Sequence, residues 1–179
     1  MKNIIYYIAT SIDGYITGAN EDVSKFAYEG KAVNNYLEDL KSFETVIMGR
    51  NTYEFGYKFG VKVGEPVPLY SHMKQYVFSN NLYFDTNHSQ IETKKLEIAE
   101  IENIKLNSTT DIYLCGGGQF AGWLLKNQKI DVLKIKLNPI VLNQGIKLFE
   151  NIDSAHSLSL LENKYYDDGV QILTYNIKY

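Results

Sequence analysis

Asp111-Ile-Tyr-Leu-Cys-Gly-Gly-Gly-Gln-Phe-Ala-Gly-Trp-Leu-Leu125 constrains the chain more than any other stretch, because an apolar run breaks into three glycines that open an amphipathic segment. Ile112 to Cys115 is uniformly apolar and too short for a helix, the pattern of a strand buried on both faces of a parallel sheet. Phe120, Trp123 and Leu124 recur at i, i+3, i+4 and predict a helix packing back on that sheet. Free amides at the start of such a helix, with the positive end of its dipole, form a ready site for a pyrophosphate. Glycine allows a close approach because it has no Cβ. Gly116-Gly117-Gly118 fits neither the Gly-x-Gly-x-x-Gly nor the Gly-x-x-x-x-Gly-Lys-Ser/Thr spacing. A plain strand-to-helix turn is the competing reading.

The 179 residues, 45% of them apolar, suffice to bury a full core as one domain over residues 1–179. A net charge of -3 without a basic cluster argues against nucleic acid or an anionic membrane as partner. One cysteine excludes an internal disulfide framework. The apolar run in Met1 to Thr10 is too short to span a membrane, and no export signal is evident, so a cytoplasmic protein is expected. His72, His88 and His156 lack the spacing of a metal site, and no metal is expected.

Strands and helices alternate. Ile4 to Ala9 reads as a buried strand, and Lys31 to Ser42 as a helix on which Val33, Tyr36, Leu37 and Leu40 recur at i, i+3, i+4, i+7. Thr45 to Met48 is a second strand, after which Gly49-Arg50-Asn51-Thr52 starts a short helix. Gln75 to Ser79 is a third, and a helix near Lys95 to Lys105 precedes the glycine corner. The order predicts an α/β chain with a largely parallel sheet. Val132 to Leu137, and the runs Leu158 to Tyr166 and Val170 to Ile177 around Asp167-Asp168-Gly169, predict antiparallel edge strands ending in a hairpin. Gly56 to Met73 is the one long irregular loop, of the kind that often covers sites.

Four segments, in order and nearly end to end, carry a family resemblance: Ala9-Thr-Ser-Ile-Asp-Gly-Tyr-Ile16, Val46-Ile-Met-Gly-Arg-Asn-Thr-Tyr53, Cys115-Gly-Gly-Gly118 and Leu137-Asn-Pro-Ile-Val-Leu-Asn-Gln-Gly-Ile-Lys-Leu-Phe149. Together they resemble the dihydrofolate-reductase-like superfamily, and within it stand-alone relatives of the reductase domain of the bifunctional riboflavin-biosynthesis deaminase-reductase. The resemblance implies a three-layer α/β/α fold around a central mixed, mainly parallel sheet. It also implies NADPH across the carboxyl ends of the strands, and a homodimer.

For the cofactor, the resemblance implies that Gly116-Gly117 can be cis, that Gly118 presents its amide to the pyrophosphate, and that Cys115 and Gln119 belong to the same site. Arg50 falls where such reductases grip the adenosine 2′-phosphate, and a guanidinium fork suits that contact. A positive charge at a helix start opposes the dipole, which favours an anion partner over a merely solvated side chain. Gly49, Asn51 and Thr52 would add amides and a hydroxyl, and Ser79 a second 2′-phosphate contact.

On the substrate side the pattern departs. The carboxylate that protonates folate in dihydrofolate reductases falls at Val33, and Asn34 and Asn35 cannot act as general acids. The Asp-Pro-x-Leu-x-Arg segment of the riboflavin-pathway reductases is replaced by Phe59-Gly-Val-Lys-Val-Gly-Glu-Pro-Val-Pro-Leu-Tyr70. Asp13 remains as the candidate catalytic residue, against a simple Asp13-Gly14 turn. Cys115 reads as a small apolar residue, since hydride transfer needs no nucleophile. Tyr53 and Tyr57 could stack on a flat heterocycle or pack in the core. The expected activity is NADPH-dependent reduction of a small pyrimidine- or pteridine-like heterocycle. A non-catalytic NADP-binding module and true dihydrofolate reductase stay open as alternatives.

Overall fold

The alternating pattern folds into one eight-stranded sheet in a computed structural model that describes residues 1–85 and 88–179. In chain order the elements are β1 (Ile4–Thr10), α1 (Lys31–Leu40), β2 (Thr45–Gly49), α2 (Arg50–Phe55), β3 (Lys74–Phe78), β4 (Ile91–Lys94), α3 (Ile98–Asn107), β5 (Ile112–Gly116), α4 (Gly118–Lys126), β6 (Val132–Leu137), β7 (Ser157–Tyr165) and β8 (Gln171–Lys178). The strands lie in the order β4-β3-β2-β5-β1-β6-β8-β7. Every pairing from β4 to β6 is parallel, and β8 runs antiparallel to both β6 and β7.

The two-residue period of the strands splits the core between the faces of the sheet. Ile4 and Tyr6 of β1, Ile47 of β2, and Ile112 and Leu114 of β5 meet Ile101 and Ile104 of α3 and Leu124 and Leu125 of α4. Tyr7, Val46, Met48 and Tyr113 turn the other way, toward Leu40 of α1 and Tyr53 of α2. Each such side chain taken fully from water contributes about 1.5–3 kcal/mol before ordering costs, which is why the central strands read as unbroken apolar runs.

Three expectations need correction. Val132–Leu137 is not an edge strand: β6 lies inside the sheet and pairs parallel with β1, Tyr7 opposite Lys134 and Ala9 opposite Lys136. Its lysines mimicked a solvated face, yet Lys134 Nζ donates to Asp39 Oδ2 at 2.7 Å and Lys136 Nζ to the Ala27 carbonyl at 2.9 Å. On α1 the inner face is built on Ala32 and Leu40, whereas Leu37 is exposed. The short edge strand β4 escaped notice because Ile91 is its one buried residue. The hairpin stands as expected, with Gly169 at φ 82° in its turn.

The segment from Gly56 to Met73 is a long connection with two short 3₁₀ turns, Gly56–Phe59 and Pro68–Tyr70. Buried side chains fasten it to the sheet. Gln75 Nε2 donates to the carbonyls of Val67 and Tyr70, both at 3.1 Å, and Gln75 Oε1 accepts from Val67 N at 2.8 Å. Tyr53 Oη accepts from Gly64 N at 2.9 Å and donates to the Glu65 carbonyl at 2.8 Å. Among the described residues no helix is long and apolar enough to cross a membrane.

Candidate active site

A cavity of about 1090 Å³ runs across the carboxyl ends of β3, β2, β5, β1 and β6. This is where open α/β sheets hold ligands. The order of the strands sets the order of the side chains along it. Ser79 follows β3, Arg50 follows β2, Gly117 to Gln119 follow β5, Ala9 lies near the end of β1, and Lys136 faces in from β6.

The structure brings Gly49, Arg50, Asn51, Thr52, Ser79, Cys115, Gly117, Gly118 and Gln119 together on this cavity. The Gly116–Gly117 peptide is cis. Gly116, at φ 123°, forms the turn behind the lining rather than the lining itself. A Cβ on Gly117 would meet Thr52 Oγ1 at 3.1 Å, so a side chain there would crowd the mouth of the corner. Gly118 is required for another reason as well. A Cβ there would stand 2.3 Å from the Lys147 carbonyl, so the Lys147–Glu150 segment can pass only over a glycine. Among the described residues the amides of Gly118, Gln119 and Phe120, at the start of α4, have no intrahelical acceptor and remain for a ligand.

At the β3 and β2 end, Arg50 Nε donates to Glu54 Oε1 at 2.7 Å and Nη1 to Asn81 Oδ1 at 3.1 Å. Ser79 Oγ accepts from the amides of Asn81 and Leu82, so this serine shapes the turn that lies under the guanidinium.

Asp13 stands apart. It does not line the cavity, and its carboxylate accepts from Leu142 N at 3.1 Å and from Asn143 N at 2.7 Å, tying the β1–α1 connection to the segment after β6. Hydrogen bonding to Ser11, with the amides of Asn143 and Leu142, holds its carboxyl at about 2. Gly14, at φ 82°, completes a turn in which its amide donates to the Ser11 carbonyl. The geometry is that of a loop clamp rather than of a proton donor.

At the opposite end the cavity is walled by residues that the motifs left out: Tyr36 from α1, Tyr70 from the long loop, Tyr113 from β5, and Lys136. Tyr36 Oη and Tyr113 Oη are 2.7 Å apart, and Tyr70 Oη is 3.2 Å from Cys115 Sγ. Burial pushes all three hydroxyls and the Cys115 thiol up, so each stays neutral. Val33 does not reach the cavity; Tyr36, three residues on, is what α1 presents to it. Tyr53 and Tyr57 do not line it either, and Tyr53 is wholly buried. The available signal for the missed residues was parity: Lys134 and Lys136 fall on one face of β6, and Tyr113 and Cys115 on the same face of β5. No cluster of metal-binding side chains occurs among the described residues.

This arrangement, a parallel-centred sheet with a glycine corner and a long cavity at its carboxyl edge, is that of a reductase-type α/β domain. The chain belongs to the RibD C-terminal domain family, whose model matches residues 2–173, and this membership supports a reductase related to the riboflavin pathway. It is 30% identical over 174 residues, 96% of each chain, to the uncharacterized protein YwjB of Bacillus subtilis, and 23% identical to the uncharacterized protein YyaP of the same organism over 98% of this chain and 95% of YyaP. The crystal structure of a Shewanella sp. PV-4 protein provisionally assigned to riboflavin biosynthesis superposes with a TM-score of 0.81 at 24% identity, covering 100% of both chains. A pyrimidine reductase-like protein of Corynebacterium diphtheriae gives 0.71 at 14% identity, over 99% of this chain and 92% of that one.

Proposed function

We propose that the protein is an NADPH-dependent reductase of a small pyrimidine- or pteridine-like heterocycle, acting as a homodimer in the cytoplasm. The observation that carries this reading is the order of groups along the cavity, from a guanidinium, through unpaired helix amides, to a wall of tyrosines. Arg50 and Ser79 suit an adenosine 2′-phosphate, and the amides of Gly118 and Gln119 suit a pyrophosphate. Ala9 and Cys115 border the place left for a nicotinamide, and Tyr36, Tyr70 and Tyr113 the place left for an acceptor ring. The resemblance to a pyrimidine reductase-like protein supports the same substrate class.

When bound, the nicotinamide supplies the hydride. The residues of the chain hold donor and acceptor in contact and keep bulk water from the apolar middle of the cavity. Asp13 does not give the proton in this reading, since its carboxylate faces the Leu142–Asn143 amides and is held at about 2. Calorimetric titration with NADPH and NADH, followed by NADPH oxidation with a panel of flat heterocycles, tests the proposal. Binding that favours NADPH, with turnover of a panel member, is the expected result; no binding of either nucleotide would end the reading.

A further inference from the structure

Two lysines project from the same face of β6, two residues apart, and meet different environments. Lys134 Nζ lies 2.7 Å from Asp39 Oδ2 and 4.7 Å from the Tyr7 ring centre, so its charge is balanced within the fold. Lys136, one pleat nearer the carboxyl end of the strand, is only 7% exposed and lines the cavity. No carboxylate lies within 4.0 Å of its Nζ among the described residues. Its ammonium donates to the Ala27 carbonyl and sits 5.8 Å from the Tyr36 ring centre, which leaves two of its three donors without a protein acceptor. A buried cation without a counter-ion is costly, and a cavity-facing one is relieved by an anion in that cavity.

We propose that Lys136 makes this end of the cavity a subsite for an oxyanion carried on the acceptor ring itself, either a ring carboxylate or an ionised ring oxygen. The proposal rests on the reductase reading only in calling the ligand an acceptor; the anion site stands on the geometry of Lys136. It is separate from the phosphate-binding end. Arg50 follows β2 and Lys136 lies on β6, three strand spacings away, about 14 Å across the sheet. Tyr36 stands beside the ammonium, and its hydroxyl, paired with that of Tyr113, offers a ligand ring a polar partner without adding charge. Burial draws the Lys136 ammonium below its usual range, and Asp168 in the β7–β8 turn opposes that only in part. A ligand oxyanion would supply the missing partner.

The test uses two probe pairs that differ in charge but little in shape: orotate against uracil, and pterin-6-carboxylate against 6-methylpterin. Each is titrated by calorimetry into the full-length protein, with and without saturating NADP⁺. At least one carboxylate should bind about tenfold or more tightly than its neutral counterpart, the worth of one charge-assisted hydrogen bond. Lys136→Met should remove that preference, Lys136→Arg should restore part of it, and the NADPH affinity of both should match the wild type. Equal binding of charged and neutral probes by the wild type overturns the proposal, as does an unchanged preference in Lys136→Met. The wild-type comparison decides the matter even if the variants fail to fold. Loss of nucleotide binding throughout, with the carboxylate preference intact, would strike the reductase reading and leave the anion site standing.

Discussion

Arg50 and Glu54 form an i,i+4 pair on α2, Nε to Oε1 at 2.7 Å, while Asn81 holds the other side of the same guanidinium. A half-exposed pair of this kind contributes little to stability, about 0.3–0.5 kcal/mol. Its consequence is orientation: the fork is fixed at the cavity rim with its remaining donors free to meet a phosphate. Arg50→Ala should weaken NADPH about tenfold to a hundredfold, the equivalent of 1.5–3 kcal/mol for a charge-assisted contact, and leave NADH little changed. Calorimetry with both nucleotides measures the difference, and equal losses for the two would remove the 2′-phosphate role.

Gly117→Val should abolish cofactor binding in a protein that stays folded. A Cβ at this position would approach Thr52 Oγ1 to 3.1 Å, and the two further methyls of valine would have to enter the corner at the start of α4. Native circular dichroism with lost NADPH binding is the expected pair of observations. Unchanged affinity in the folded variant would reduce the segment to a plain strand-to-helix turn.

Asp13 should matter for stability rather than for nucleotide binding. Its folded carboxyl lies at about 2, below the usual carboxylate range, so the unfolded chain takes up the proton first as the pH falls. The contribution is therefore present above about pH 4 and is lost as the pH drops through about 2. Asp13→Asn should melt at a lower temperature than the wild type at pH 7, and the gap should close toward pH 2. NADPH affinity should stay within about twofold, less than half a kcal/mol. A large loss of turnover without any change in melting would return Asp13 to a catalytic role.

Much of the fold was legible because the central strands are apolar on both faces, and Ile112 to Cys115 with its glycines can scarcely be read otherwise. The gathering of Arg50 and the glycine corner on one cavity was legible for the same reason: the groups at the ends of β2 and β5 follow each strand directly in sequence. The tyrosine-walled end was not. Tyr36, Tyr70, Tyr113 and Lys136 come from four distant parts of the chain, and only the pairing of β6 beside β1 brings them to one cavity. Lys136 in particular looks like one of two solvated lysines until Asp39 is seen to neutralise Lys134 alone. The mapping of a folate-type acid onto Val33 failed because α1 turns Tyr36, not Val33, toward the cavity.

Gln75 offers a test of the long loop as the wall of the site. Its amide is wholly buried and makes three hydrogen bonds to Val67 and Tyr70, both of which line the cavity. Gln75→Leu keeps the volume but leaves the Val67 amide without its acceptor, at about 1–3 kcal/mol for a buried group left unpaired, while the Val67 and Tyr70 carbonyls keep their bonds from the Tyr70 and Met73 amides. The variant should melt several degrees lower, with faster hydrogen exchange at Val67. Its loop should also be cut more readily by protease. A melting temperature equal to the wild type would mean that the loop is held by other contacts.

The edge of the sheet bears on oligomeric state. β7 is the last strand, and it exposes Leu158, Leu160 and Leu161 to between 44% and 56%. An uncovered apolar edge strand is prone to pair with another chain, and a second copy is the occupant that the family resemblance implies. Light scattering at micromolar concentration should give a dimer for the wild type. Leu158→Lys with Leu160→Lys removes two side chains, each of which contributes about 1.5–3 kcal/mol when fully buried, so dimer dissociation should rise at least a hundredfold and the variant should run as a monomer. Both substitutions sit on exposed positions, so circular dichroism should stay native. A wild-type monomer, or a dimer unmoved by the double substitution, would place any contact between copies elsewhere on the surface.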